Sequence, residues 1–147
     1  MAEETNARQL HVFSLGEEEY ALPVTSVQEI IHYTAPRAVA SESAWIRGVI
    51  SLRGKIIPVA DLAARLGLPA GATDGGKIIV IENGPVTAGV VVDDVDEVLT
   101  IEADQLDAVP AAGTEAIDAI VKIDDRLIIL LALDSLFGGL ELAASAA

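Results

Sequence analysis

Two histidines, one glycine-rich stretch ending in lysine, and one knot of carboxylates are the places where this sequence could do chemistry. Histidine exchanges a proton near neutrality, so His11 and His32 come first as general acid–base candidates. His11 stands beside Val12 and Phe13, and His32 closes an apolar run. No Ser-His-Asp set assembles around either, and both read as surface or strand-edge residues. Residues 71–77, GATDGGK, have the glycine and lysine spacing of a phosphate-cradling loop. Ile78 takes the place of the required Ser or Thr, and a strand follows where the anion would need a helix N-terminus. The stretch reads as a linker. Asp93, Asp94, Asp96 and Glu97 lack the alternating ligands, central glycine and closing glutamate of a calcium loop, and read as a solvated turn. With no cysteine there is neither a thiolate metal site nor a disulfide. No catalytic residue, metal or cofactor is expected.

The rest of the chain is built for strands. A length of 147 residues suits one domain, or two small lobes sharing a core. Hydrophobic residues make up 52% and aromatics only 3%, so Val, Ile, Leu and Ala must fill the interior. β-Branched residues crowd the middle, and their two heavy atoms on Cβ suit a pleated surface. Turn signals divide the chain into strands at 9–15, 19–22, 27–31, 47–52, 55–59, 77–82, 86–92, 95–101, 117–123 and 126–131. Asn83-Gly84 is the clearest of these signals, because both residues tolerate positive φ. Helix is confined to short pieces, at 61–66 and 133–137.

Residues 22–31 parallel 90–99 at an offset of 68, and 46–59 parallel 117–130 at an offset of 71. The drift of three is what a loop insertion causes. Two copies at this period predict two similar lobes in tandem, at about 9–68 and 77–137, joined through 66–76 and followed by a short tail at 138–147. Five strands are too few for a sandwich. The expected fold class is therefore all-β, two tandem five-stranded β-barrels with short helices, in which the first strand is free to cross and complete the second lobe.

Charge narrows the partners. The net charge of −14, from 23 acidic against 9 basic residues, argues against nucleic acid, whose phosphates call for a basic face. Solubility or a salty cytoplasm accounts for the acidity, and a partner with a basic patch is the functional alternative. The opening Met-Ala-Glu-Glu-Thr carries no secretory pattern, and the longest apolar run, 127–133, is seven residues, against the roughly 20 of a spanning helix. A soluble cytoplasmic chain with no direct membrane insertion is expected.

Residues 45–62, WIRGVISLRGKIIPVADL, carry the pattern Gly-Val-x-x-Leu-Arg-Gly followed by Pro-Val-x-Asp-Leu. Together with 88–99, AGVVVDDVDEVL, the opening 13–24, FSLGEEEYALPV, and Val27-Gln28-Glu29-Ile30, this resembles the CheW-type chemotaxis coupling proteins from about residue 9 to residue 137. The sequence departs from that family's pattern at Ser51, where Asn is usual, at Ala119, where many members have Gly, and at Asp124-Asp125, in place of Asp-Gly. Ala119 leaves less room than glycine for a neighbouring backbone.

The resemblance implies two five-stranded barrels side by side with an apolar groove between them, and no enzymatic activity. It implies an adaptor that bridges the cytoplasmic tip of a chemoreceptor (a methyl-accepting chemotaxis protein) to the regulatory domain of the chemotaxis histidine kinase. Its place would be at receptor arrays under the inner membrane. Receptor tips are helical hairpins, and a helix docks well in an apolar groove. Val27, Ile30, Gly48, Gly89, Val95 and Val98 match family positions lining or flanking the receptor-binding region. Singly each also reads as core or turn; as a group the groove is preferred. Glu29 and Arg53 match positions of an acid and an arginine, and a charge in so apolar a stretch needs a partner. A structural ion pair between neighbouring strands is favoured over direct receptor contact.

Two other classes compete: a nucleic-acid-binding small β-barrel, and an accessory subunit with no signalling role. The charge and the three lysines, Lys55, Lys77 and Lys122, argue against the first. If the acidity is mainly self-repulsion at the surface, the unfolding midpoint should rise from low to molar salt as screening takes hold. A midpoint that stays flat or falls across that range refutes this.

Overall fold

The computed structural model describes residues 8–38, 45–66, 76–107 and 117–133. Among them are the strands β1 (Arg8–Leu15), β2 (Glu18–Pro23), β3 (Val27–His32), β4 (Ile46–Leu52), β5 (Lys55–Asp61), β6 (Lys77–Asn83), β7 (Val86–Val92), β8 (Asp94–Ile101), β9 (Leu106–Asp107), β10 (Ile117–Ile123) and β11 (Arg126–Leu131). Each strand expected from sequence is present, and β9, two residues long, is an addition too short to leave a pattern. The helix expected at 61–66 is α1 (Leu62–Arg65), whose start is fixed by Ala64 N–H donating to Asp61 Oδ1 at 3.2 Å. Residues 67–75 of the expected joint, 134–137 of the second expected helix, and the tail lie outside the described residues.

Two sheets form, in the orders β3-β6-β7-β5-β4 and β8-β1-β2-β11-β10-β9. The repeat offsets carry β1, β2 and β3 onto β6, β7 and β8, and β4 and β5 onto β10 and β11. Applied to the first sheet, they reproduce the first five strands of the second in order. The duplication is therefore real, but its halves are interleaved. Not only β1 but the whole β1–β2 hairpin joins the six-stranded sheet, and β6–β7 crosses the other way, so sheet membership does not divide at the expected joint. The reason is ladder satisfaction: β3 pairs only with β6 and β8 only with β1 among the described residues, so each takes its partner from the other half.

Closed barrels are not what the sheets make. β3 and β4 remain opposite edges of the five-stranded sheet, and an isolated bridge ties Arg37, in the segment after β3, to Val49 on β4 through N–H to carbonyl bonds of 2.8 and 2.9 Å. Each sheet instead curls around a small core of its own. Ile50, Ile57, Val59, Ile78 and Val80 fill one, and Leu10, Val12, Val121, Ile128 and Leu130 the other. The opposite faces meet in a third, shared core, where Phe13, Tyr20 and Leu22 pack with Ile79, Ile81, Ala88 and Val90. This alternation follows from the strand period of two.

A register row crosses each sheet. In the five-stranded sheet it runs Glu29, Val80, Gly89, Val59, Gly48; in the other it runs Glu97, Val12, Ala21, Leu130, Ala119. Gly48 sits at an irregularity in β4 with φ of 151°, and a Cβ there would overlap the Arg37 carbonyl. At Gly89 a Cβ would clash with the Ile78 side chain alone, at 2.7 Å, with Val59 and the Pro58 carbonyl at ordinary contact distances of 3.7 and 3.9 Å. Gly48→Ala should therefore cost about 3 kcal/mol through backbone strain and loss of the bridge, and Gly89→Ala a smaller 1–3 kcal/mol, roughly, from overpacking. Urea unfolding of both variants checks the order, and an equal or reversed cost would refute the assignment.

Candidate functional site

The two outer strands β3 and β8 carry most of the residues singled out from sequence, and both are bulged at the same repeat position. On β3, Val27 opposes Ile81 and Glu29 opposes Val80, which leaves Gln28 as the extra residue. On β8, Val95 opposes Phe13 and Glu97 opposes Val12, which leaves Asp96 as the extra residue. In a regular strand residues two apart share a face. The bulge breaks that rule, so Val27 turns to the shared core while Glu29 turns to the mouth of its own sheet's core.

The consequence is a seam lined from both sides. Val27 and Ile30 from β3 and Val95 from β8 are half-buried against the shared core, and Val98, the repeat equivalent of Ile30, is 50% exposed. Lys77 on β6, the register partner of His32, reaches Asp94 at the start of β8 at 3.6 Å, and both edges pack on the shared core. His11 opposes Val98 from β1, an inner strand rather than the expected edge. Burial lowers its basicity, and its Nδ1 is enclosed without a hydrogen-bond partner. His32 is exposed at the end of β3, as expected.

Gly48 and Gly89 do not reach the seam. Both are buried in the register row behind it, beside Val59.

Glu29 and Arg53 meet in a two-pronged pair: Arg53 Nε donates to Glu29 Oε2 at 2.9 Å and Nη2 to Oε1 at 3.0 Å. They are not on neighbouring strands, as the hairpin order had implied, because β3 and β4 are opposite edges. Four strand spacings in a flat sheet amount to roughly 19 Å, far beyond one arginine, so the pair exists only because the sheet curls. It closes a cleft of about 140 Å³ lined by Glu29, Leu52, Arg53, Ile57, Val80 and Thr87. Arg53 is 74% exposed, so this clasp is wet rather than buried. Its tip geometry is special: Arg53 and Gly54 have φ of 53° and 82°, the two positive angles of a tight primed hairpin turn.

Sequence reasoning missed a second clasp. Arg126 Nη2 reaches both Glu19 Oε2 at 2.9 Å and Glu97 Oε2 at 2.7 Å. The repeat held the signal, since Glu97 is Glu29 carried forward by 68 residues. Among the described residues no group of three or more His, Cys, Asp or Glu side chains could hold a metal ion. No helix there is long and apolar enough to cross a membrane.

The CheW-like domain family matches residues 9–141. A probable chemotaxis protein CheW of Rhizobium etli is 35% identical over 143 residues, covering 94% of this chain and 92% of that protein. The chemotaxis protein CheW of Klebsiella aerogenes is 31% identical over 148 residues, covering 97% and 89%. The crystal structure of the scaffolding protein TtCheW from Thermoanaerobacter tengcongensis superposes with a TM-score of 0.81 at 36% identity, covering 88% of this chain and 87% of that one.

Hydrogen bonds from Arg53 hold the Glu29 carboxyl below its ordinary value of 4.5. A depressed carboxyl contributes stability that is present above its unfolded value and lost as pH falls through the folded one. The clasp should therefore survive below pH 4.5 and open only in stronger acid. Carbon-detected titration of Glu29 checks this, with Arg53→Ala expected to bring the midpoint back up. An unmoved midpoint in that variant would break the assignment.

Proposed function

The chain belongs to the CheW-like family, and on that premise we propose that its bulged seam is the surface through which it scaffolds chemotaxis signalling. The adaptor role is a property of the surface and needs no reacting group. An interaction scaffold has to present apolar area to a partner while keeping its own fold closed. The single observation that carries the reading is that the bulged edges β3 and β8 border the same shared core. Val27 and Ile30 from β3 and Val95 from β8 are partly buried against that core, and Val98 on β8 is 50% exposed.

The finer reading is that the seam takes the helical tip of a chemoreceptor, and that the regulatory domain of the chemotaxis histidine kinase is bound elsewhere on the same chain. A helix offers apolar anchors three and four residues apart, which suits a trough flanked by aliphatic side chains. The acidic residues bordering the seam, Asp94, Asp96 and Glu97, favour a partner with basic flanks and disfavour nucleic acid. On this reading the protein works in the cytoplasm at receptor arrays, as an adaptor rather than an enzyme.

Capture on a chemoreceptor cytoplasmic fragment and on the kinase regulatory domain, run in parallel, tests the pairing. Val98→Asp should leave the melting temperature nearly unchanged, because the side chain is 50% exposed, and should weaken receptor-fragment binding by about tenfold or more. Wild-type affinity in that variant would remove the seam from the receptor interface.

A further inference from the structure

We infer that Arg126 is a positioning residue, which holds the β8 side of the seam in place by bridging Glu19 on β2 and Glu97 on β8. β8 is an edge strand whose only ladder partner among the described residues is β1. Its outer positions Asp94, Asp96, Glu97, Val98 and Thr100 are all exposed. A strand held from one side by its ladder needs something further to set its curl.

Arg126 supplies it. In the sheet order β8-β1-β2-β11, Glu97 lies three strands from Arg126, roughly 14 Å if the sheet were flat. The contact of 2.7 Å therefore requires the edge to be folded back over the start of β11. Nε and Nη2 also grip Glu19 at 3.2 and 2.9 Å, which fixes the guanidinium on the neighbouring strand before it reaches across. The arrangement repeats the Glu29–Arg53 clasp on β3, with the arginine supplied two residues further along the equivalent hairpin. What the duplication preserves is the clasp, and the arginine's own position shifts.

Electrostatics gives the clasp a second task. Glu19, Asp94, Asp96 and Glu97 bring four carboxylates together; burial and the charges of the other three hold the Asp96 carboxyl above its usual range, and Arg126 opposes that rise. Lys77 touches the patch at Asp94 over 3.6 Å, and Arg126 sits at its centre. Without Arg126 these carboxylates repel one another across β2 and β8.

Amide hydrogen exchange on the full chain tests this. In Arg126→Leu, amides of β8 should exchange about tenfold faster or more, while those of β3 keep their protection. Raising salt to molar strength should slow β8 exchange again in the variant, since screening shortens to roughly 3 Å, and should not do so in the wild type. Arg126→Lys should fall between the two. Should Arg126→Leu fail to fold, Glu97→Gln, which cuts only the far contact, should loosen β8 in the same way. Unchanged β8 protection, or a loss that is equal on β3 and indifferent to salt, overturns the inference. Only its last step rests on the proposed function: receptor-fragment binding should weaken in step with β8 loosening. Loosened β8 with undiminished binding would leave the clasp standing and remove the seam as the receptor surface.

Discussion

Everything in this fold depends on the exchange of hairpins between its two halves. β3 and β8 are the strands that carry the seam, and neither finds a ladder partner within its own half among the described residues. β6–β7 slots between β3 and β5, and β1–β2 between β8 and β11, through short parallel ladders at Val59–Gly89 and Leu130–Ala21. Because each sheet is a composite, the shared core cannot come apart into two lobes without unpairing backbone in both. Separating the halves would expose N–H and C=O groups along four ladders, and an orphaned buried backbone group costs free energy comparable to a lost hydrogen bond.

Within that frame the bulges on β3 and β8 decide what the edges can do. A straight edge strand offers alternate residues to one face, and Val27 would then share its direction with Glu29. The extra residue, Gln28 or Asp96, rotates the strand so that aliphatic side chains turn to the seam and the acid turns to the mouth of the sheet. On both edges the same device turns aliphatic side chains to the shared core and the acid to its clasp. The two clasps are unlike in setting, however. Arg53 stands 74% exposed at a hairpin tip, whereas Arg126 is 36% exposed and held by two carboxylates.

The strands were legible because turn residues such as Gly16, Gly54 and Gly84 punctuate runs of alternating aliphatics, and the structure gives each of these glycines a positive φ. The duplication was legible too, as paired offsets. The interleaving was not, since a strand's sequence states which faces are apolar and says nothing about which neighbour supplies the ladder. Sheet curl escaped for the same reason: Glu29 and Arg53 could be matched as partners by type, while the distance between their strands belongs to topology. The bulges were hidden because one extra residue leaves the composition of β3 or β8 unaltered. Among the candidate residues, sequence matched Glu29 with Arg53, which the structure pairs, and named aliphatics that lie on β3 and β8. It grouped Gly48 and Gly89 with them, although their burial places them in the sheet behind.

Interleaving also sets a timetable for synthesis. Tyr20 and Ala21 pair with Ile129 and Leu130, so β2 cannot complete its sheet until β11 has left the ribosome. At roughly 5–20 residues per second, the intervening stretch takes about 5–20 s to make. For that interval the β2 edge of the first hairpin waits unpaired, although β8 is made in time to take the β1 edge, and it is a ready template for any other extended chain nearby. The arrangement that locks the finished molecule together is the one that leaves its nascent form longest in need of protection.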